Sequence, residues 1–202
     1  MTNRNPAFFG YGSLVNRATH GYAKSAPSRL AGWRRIWRHT TLRPHPFLSV
    51  VPSAAEFDFL VAAVPSGDWT TLDAREAAYR RHAIDAGRLS LVLYMSGPVE
   101  IYAVDEAHAA ATPGGPILLS YLDTVVQGFL AEFGEPGVAR FFDTTAGWTA
   151  LLDDRDRPLY PRARHTSAAE RALVDSHAEA LGLERLPRIR HLGRKDFGGG
   201  LS

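Results

Sequence analysis

The feature that most limits how this 202-residue chain can fold is a change of pattern near its middle. Up to Val104 the apolar residues come in short β-branched and aromatic runs, broken by Pro and Gly. Beyond Ala111 they recur at helical spacing. Ala7-Phe8-Phe9-Gly10-Tyr11 reads as a buried strand ending in a tight turn at Gly12-Ser13. Arg29 to Thr40, Phe47 to Val51, Leu60 to Val64, Leu89 to Tyr94 and Val99 to Val104 read as further strands. Pro44, Pro46 and Pro52 keep the region between from becoming helical. One helix interrupts the strands after Ser66-Gly67-Asp68, with Asp68 as its N-cap and Trp69, Leu72, Ala77 and Tyr79 on its apolar face. Three helices follow: Ile117 to Phe133 opened by Pro116, Pro136 to Thr145, and Ser167 to Leu181, where Ser167 and Glu170 match a capping box. Strands first and helices afterwards is not a βαβ alternation. The order predicts an α+β fold, a mixed β-sheet or barrel with helices packed outside.

Composition narrows the chemistry. Apolar residues make up 45% and charged residues 22%, which describes a globular chain. There is no cysteine, so disulfides, thiolate zinc sites and cysteine nucleophiles are excluded. The formal net charge is only +2. The basic run Trp33-Arg34-Arg35-Ile36-Trp37-Arg38 has two readings: an RNA- or single-strand-binding strip, or a strand whose alternate side chains face core and solvent. No nucleic-acid motif accompanies it, and the second reading is favoured. No apolar run approaches the roughly 20 residues of a membrane span, and the polar Met1 to Pro6 lacks a secretory pattern. A cytoplasmic location is the expectation. His39 and His45, and Asp153, Asp154 and Asp156, lack recognised metal-ligand spacing. The aspartates are expected in a solvated loop.

Two motifs can carry chemistry. In Phe9-Gly10-Tyr11-Gly12-Ser13-Leu14, two glycines around one aromatic let the backbone turn sharply and approach a ligand closely. Successive N–H groups in such a turn can hold a carboxylate or an oxyanion. Val15 stands where a dinucleotide-binding loop needs glycine, and no lysine follows for a P-loop. Tyr11 and Val15 exclude a G-x-S-x-G nucleophile elbow around Ser13. The second motif is Leu72-Asp73-Ala74-Arg75-Glu76-Ala77-Ala78-Tyr79, expected on the first helix. There Asp73, Glu76 and Arg80 would share one face, with a local Glu76–Arg80 ion pair as the simplest reading.

Taken in order, strand-G-Y-G-S-L, several strands, then L-D-x-R-E with a nearby tyrosine resembles the γ-glutamylcyclotransferase superfamily, including its ChaC-like and AIG2-like branches. The resemblance runs from about Phe8 to Phe133 and includes Tyr121 in Ser120-Tyr121-Leu122-Asp123. With the helical pattern beyond it, a domain is expected over residues 1–192, with a core at about 7–133 and a helical extension at 134–192, while the glycine-rich segment 193–202 reads as a flexible tail. The resemblance implies that Tyr11, Gly12, Ser13 and Leu14 bind the γ-glutamyl group through backbone N–H donors. Glu76 would act as the catalytic acid/base, and Tyr121 would help hold the glutamyl moiety. Tyr79 would either line the pocket or pack against the sheet. The implied reaction releases 5-oxoproline from a small-molecule γ-glutamyl substrate and requires no metal or organic cofactor. Neither nucleic acid nor membrane is an expected partner. A non-catalytic ligand-binding or regulatory protein of the same fold is the alternative. The sequence departs from the family pattern at Val15-Asn16 and at Ala77-Ala78, which bears on specificity for glutathione.

Overall fold

A computed structural model describes residues 5–84, 97–112 and 114–188. The architecture is α+β, with a mixed six-stranded sheet and a smaller three-stranded one. Strand β1 (Ala7–Gly10) lies inside the large sheet, antiparallel to the end of β3 (Arg43–Ala63) and parallel to β5 (Val99–Val104). Strand β3 forms a long hairpin with β2 (Ser25–Thr40). Strand β4 (Tyr79–Ile84) pairs with β5 at one edge, and β7 (Thr145–Ala146) pairs with β2 at the other. Strands β6 (Ile117–Leu118), β8 (Leu151–Asp153) and β9 (Arg185–Pro187) make the parallel small sheet. Among the described residues the large sheet stays open and does not close into a barrel.

Several boundaries differ from the sequence reading. The runs at Phe47 to Val51 and Leu60 to Val64 are two parts of the single strand β3. Pro52 does not end it, because it faces Trp33 beside a register shift where Gly32 adopts φ 90°; a bulge tolerates a residue without an N–H. Helix α1 (Thr70–Arg75) is shorter than expected: the backbone unwinds at Glu76 (φ −100°, ψ 30°). Tyr79 and Arg80 then enter β4, opposite Val104 and Ala103. Asp73, Glu76 and Arg80 therefore do not share a helix face, and Arg80 pairs with Asp105 at 2.7 Å instead of with Glu76. Asp68 Oδ1 accepts a hydrogen bond from Thr70 N–H (3.0 Å) just ahead of α1. Pro116 precedes β6, and helix α2 begins only at Leu119. Helix α2 (Leu119–Thr144) breaks at Gly134 (φ 65°, ψ −174°), so the two expected helices are its two pieces. Helix α3 (Ala168–Ala180) carries the expected Ser167/Glu170 capping box. The expected strand Leu89 to Tyr94 and the tail at 193–202 lie outside the described residues.

Alternation along β1 builds a core on each face of the sheet. Phe9 joins the main cluster with Leu122, Val125 and Phe129 of α2. Phe8 faces a small cluster of Leu14, Ala62, Val64, Leu72 and Tyr102. Leu72 is the buried residue that pins α1 there, and burying such a side chain contributes about 1.5–3 kcal/mol. The same alternation runs through the basic segment, which lies in β2. Arg35 is fully buried, 4.8–5.0 Å from the ring centres of Phe57, Phe129 and Phe141. It donates to the Asp58 carbonyl at 2.6 Å and to the Thr144 and Thr145 hydroxyls. Burial, partly opposed by the Asp58 charge, lowers its pKa to about 9. Arg38 is paired with Glu106. Asp154 is also buried, contrary to the solvated-loop expectation. It accepts from the Ser120 N–H and hydroxyl and so caps α2. Among the described residues no helix is long and apolar enough to cross a membrane.

Candidate active site

The site begins where β1 leaves the sheet. Gly10 and Gly12 are both places of close approach. A Cβ on Gly10 would lie 2.8 Å from the Leu14 carbonyl oxygen, and one on Gly12 would lie 2.9 Å from Tyr121 Oη. Past Gly12 the chain makes one tight turn over Ser13–Val15. The turn's own hydrogen bonds run from Val15 N–H to Gly12 O (2.9 Å) and from Asn16 N–H to Ser13 O (3.1 Å). The N–H groups of Gly12, Ser13 and Leu14 take no part in them.

Asn16, one of the departures from the family pattern, anchors this turn. Its side-chain amide donates to Thr124 O and to Gln127 Oε1 on α2, both at 2.9 Å. Its own Oδ1 accepts from Ala18 N–H. Gly128 lets the helix come that close, since a Cβ there would sit 2.5 Å from Asn16 N. The turn is thereby fixed to α2, the helix that carries Tyr121.

A cavity of about 30 Å³ opens against this turn, and all six residues singled out from the sequence line it: Tyr11, Gly12, Ser13, Leu14, Glu76 and Tyr121. It is roomy enough for water but not for a glutamyl group, so a larger occupant requires the walls to yield. Phe9, Leu48, Tyr79 and Tyr102 complete the wall. Tyr79 both lines the cavity and packs into the sheet, where its hydroxyl donates to Leu48 O at 2.9 Å. Tyr11 donates to the Tyr102 carbonyl, and Tyr102 donates to Asp73 Oδ1 at 2.6 Å.

Glu76 enters the cavity because α1 stops one residue earlier. Its backbone is held on both sides, by Glu76 N–H to Leu72 O (2.9 Å) and Tyr79 N–H to Glu76 O (2.8 Å). The neighbouring Arg75, the R of L-D-x-R-E, carries no role of its own in the sequence reading. Its guanidinium donates to Glu76 Oε1 (3.1 Å), Ser13 Oγ (3.1 Å), Thr19 O (2.8 Å) and Thr19 Oγ1 (3.3 Å). One side chain thus clamps the carboxylate to the glycine turn. The Arg75 and Glu76 side chains are only 10% and 15% exposed. Nothing local in Asp73-Ala74-Arg75-Glu76 signals the clamp, because its other ends lie some sixty residues away in sequence.

Electrostatics set the protonation states. Burial raises the Glu76 pKa above the ordinary glutamate value, while the charges of Arg75, Arg162 and Arg43 hold the rise in check. Burial first, with the Glu76 charge adding to it, keeps Tyr11, Tyr79 and Tyr121 well above the usual phenol range, so they remain neutral donors. The arrangement offers one tunable carboxylate, unspent backbone donors and a neutral phenolic wall. That set suits proton transfer beside a developing oxyanion. Among the described residues no group of three or more His, Asp or Glu side chains is placed to hold a metal ion. His39 instead accepts from Gly114 N–H, and His45 lies 2.8 Å from Pro116 O.

No protein-family model matches the chain, and no curated protein is detectably similar to it. Among solved structures it is similar to YkqA of Bacillus subtilis, at 16% identity and a TM-score of 0.49. That match covers 71% of this chain and 56% of YkqA, so this chain spans little over half of its length. A further neighbour is the γ-glutamyl cyclotransferase specific to glutathione from yeast, at 12% identity and a TM-score of 0.44, covering 88% of this chain and 97% of that one. An Arabidopsis thaliana protein known from its solution structure matches at 20% identity and a TM-score of 0.38, over 57% and 78% of the two chains.

Proposed function

We propose that the chain is a γ-glutamylcyclotransferase-type enzyme that converts a γ-glutamyl compound to 5-oxoproline and a free amine or amino acid. The observation that carries this reading is the meeting of Glu76 with the turn Tyr11–Leu14 in one cavity. In the sequence they lie sixty residues apart, and the motif resemblance assigns them to the same reaction.

Glu76, as carboxylate, takes a proton from the substrate's α-ammonium. The freed amine attacks the γ-carbonyl carbon, a C–N bond closes the five-membered ring, and the carbonyl oxygen becomes an oxyanion. N–H groups of Gly12, Ser13 and Leu14 stabilise that oxyanion; one such donor is typically worth about 2.7–4 kcal/mol. Collapse breaks the original γ-C–N bond as Glu76 returns its proton to the leaving nitrogen. The second proton of the ring nitrogen follows by the same carboxylate, so the products are the neutral lactam and an ammonium. The raised pKa of Glu76 suits both halves, since a shuttle works best near the operating pH. Because the attack is intramolecular, holding the glutamyl chain folded supplies much of the rate.

The test is mass-spectrometric detection of 5-oxoproline from glutathione, γ-glutamyl dipeptides and γ-glutamylamines. Glu76→Gln should cut turnover by about 10²–10⁴-fold with an unchanged circular dichroism spectrum. Folded Glu76→Gln protein turning over at the native rate would refute the assignment, as would an intact native protein inactive on every substrate.

A further inference from the structure

Beside the Glu76 cavity lies a second, larger one of about 440 Å³, lined among others by Arg43, Phe47, Tyr160 and Arg162. The two share a wall. The Tyr121 ring, which faces Glu76, packs against Phe47 and Tyr160, each at 4.8 Å between ring centres.

No carboxylate lines this second cavity, and among the described residues neither Arg43 nor Arg162 makes an ion pair or a side-chain hydrogen bond. Among the other described arginines, Arg34 and Arg157 likewise lack a side-chain partner, but most are paired. Arg17, Arg29, Arg38, Arg75, Arg80, Arg81, Arg140, Arg155 and Arg185 all pair with carboxylates. The guanidinium of Arg43 is laid over the Phe47 ring at 4.8 Å, which restrains it at the cavity wall while its donors stay free. Arg162 also borders a cavity of about 650 Å³ that Arg75 helps to line, so it stands between these two larger spaces, and its charge is felt at Glu76. Two unpaired guanidiniums on an aromatic floor, next to a proton-transfer site, suit a planar carboxylate, which arginine binds through paired N–H donors.

We propose that Arg43 and Arg162 form the leaving-group subsite and select γ-glutamyl substrates whose departing amine carries a carboxylate, that is, γ-glutamyl amino acids or peptides over γ-glutamylamines. The proposal rests on the reading of the Glu76 cavity as a cyclotransferase site. It also assigns a role to Arg162, which lies in the C-terminal part of the chain beyond the reach of the sequence resemblance.

The experiment compares γ-glutamylalanine with γ-glutamylethylamide, which differ chiefly in the carboxylate. The native protein should favour the dipeptide by about tenfold or more in kcat/KM, the scale of one charge-assisted contact. In the Arg43→Ala/Arg162→Ala double variant that ratio should fall to near one, through a raised KM for the dipeptide. In parallel, calorimetric titration of Glu76→Gln protein should show the same preference in Kd, and its loss when both arginines are also replaced. Equal use of the two compounds by the native protein, or a ratio that survives the double substitution, overturns the subsite. If the native protein releases 5-oxoproline from neither compound and from no member of the wider panel, the cyclotransferase reading falls, and the titration still decides whether the arginines bind the carboxylate.

Discussion

Replacing Arg75 with Met removes the clamp while keeping the length and apolar body of the side chain. The guanidinium makes contacts to Glu76, Ser13 and Thr19 and is nearly enclosed, as is the carboxylate it faces. Removing one partner of a buried pair costs about 3–5 kcal/mol, because the other charge is left uncompensated. Glu76 escapes part of that by taking up a proton, which puts the expected loss near the lower end, about 3 kcal/mol. For a chain of this size that is a fall of roughly 6–12 °C in Tm. The sign of the pH dependence is fixed. Burial already raises the Glu76 pKa above its unfolded value, and Arg75 is the largest opposing charge. In the variant the folded state therefore holds the proton to still higher pH than the unfolded state does, and stability falls as pH rises from the ordinary glutamate pKa upward. Urea unfolding at a series of pH values should show a deficit that is small in acid and grows toward neutrality. The acid limb of kcat/KM should move to higher pH in step. A deficit that does not vary with pH, or an acid limb that stays in place, would mean that Arg75 does not hold the Glu76 charge.

The other expectations are simpler. Gly12→Val should raise KM and lower Tm, since its Cβ would lie 2.9 Å from Tyr121 Oη; adding Tyr121→Phe should restore part of the Tm by removing that oxygen, and no restoration would disprove the contact. His20 is largely buried, with its Nε2 3.1 Å from Leu14 O, and burial lowers its pKa to about 4. Between the ordinary histidine pKa and about 4 the unfolded chain binds the proton that the folded chain refuses, so native stability should drop as pH falls through that window. Urea midpoints of His20→Gln, measured over the same range, should drop less.

How far the sequence could be read depended on the range of the forces involved. The β1 strand, its glycine turn, the α3 capping box and the break before Pro136 are written in neighbouring residues, and each could be placed from them. Helix α1 was overextended because Glu76-Ala77-Ala78 are good helix formers. Pairing of Tyr79 with Val104 overrides that preference. The sequence splits β3 at Pro52 because the irregularity beside it, Ser53 to Ala55 of β3 against the single Gly32 of β2, exists only once the two strands pair. The six site residues could be named from their motifs, but Arg75, Arg43, Arg162 and Asn16 could not. Asn16 and Arg75 draw their meaning from contacts about sixty to more than a hundred residues away, and Arg43 and Arg162 from meeting in one cavity; such long-range placement leaves no periodicity behind.

The brevity of α1 has a consequence for how this molecule would fail. Six residues make too few internal bonds to hold a helix by themselves, so the carboxylate at its end depends, besides the Arg75 clamp, on the little apolar cluster beneath Leu72. That cluster lies on the opposite face of the sheet from the main core, and it can loosen while the rest stays folded. Trimming Leu72, Phe8 or Val64 would then silence the chemistry in a protein that still looks native to spectroscopy.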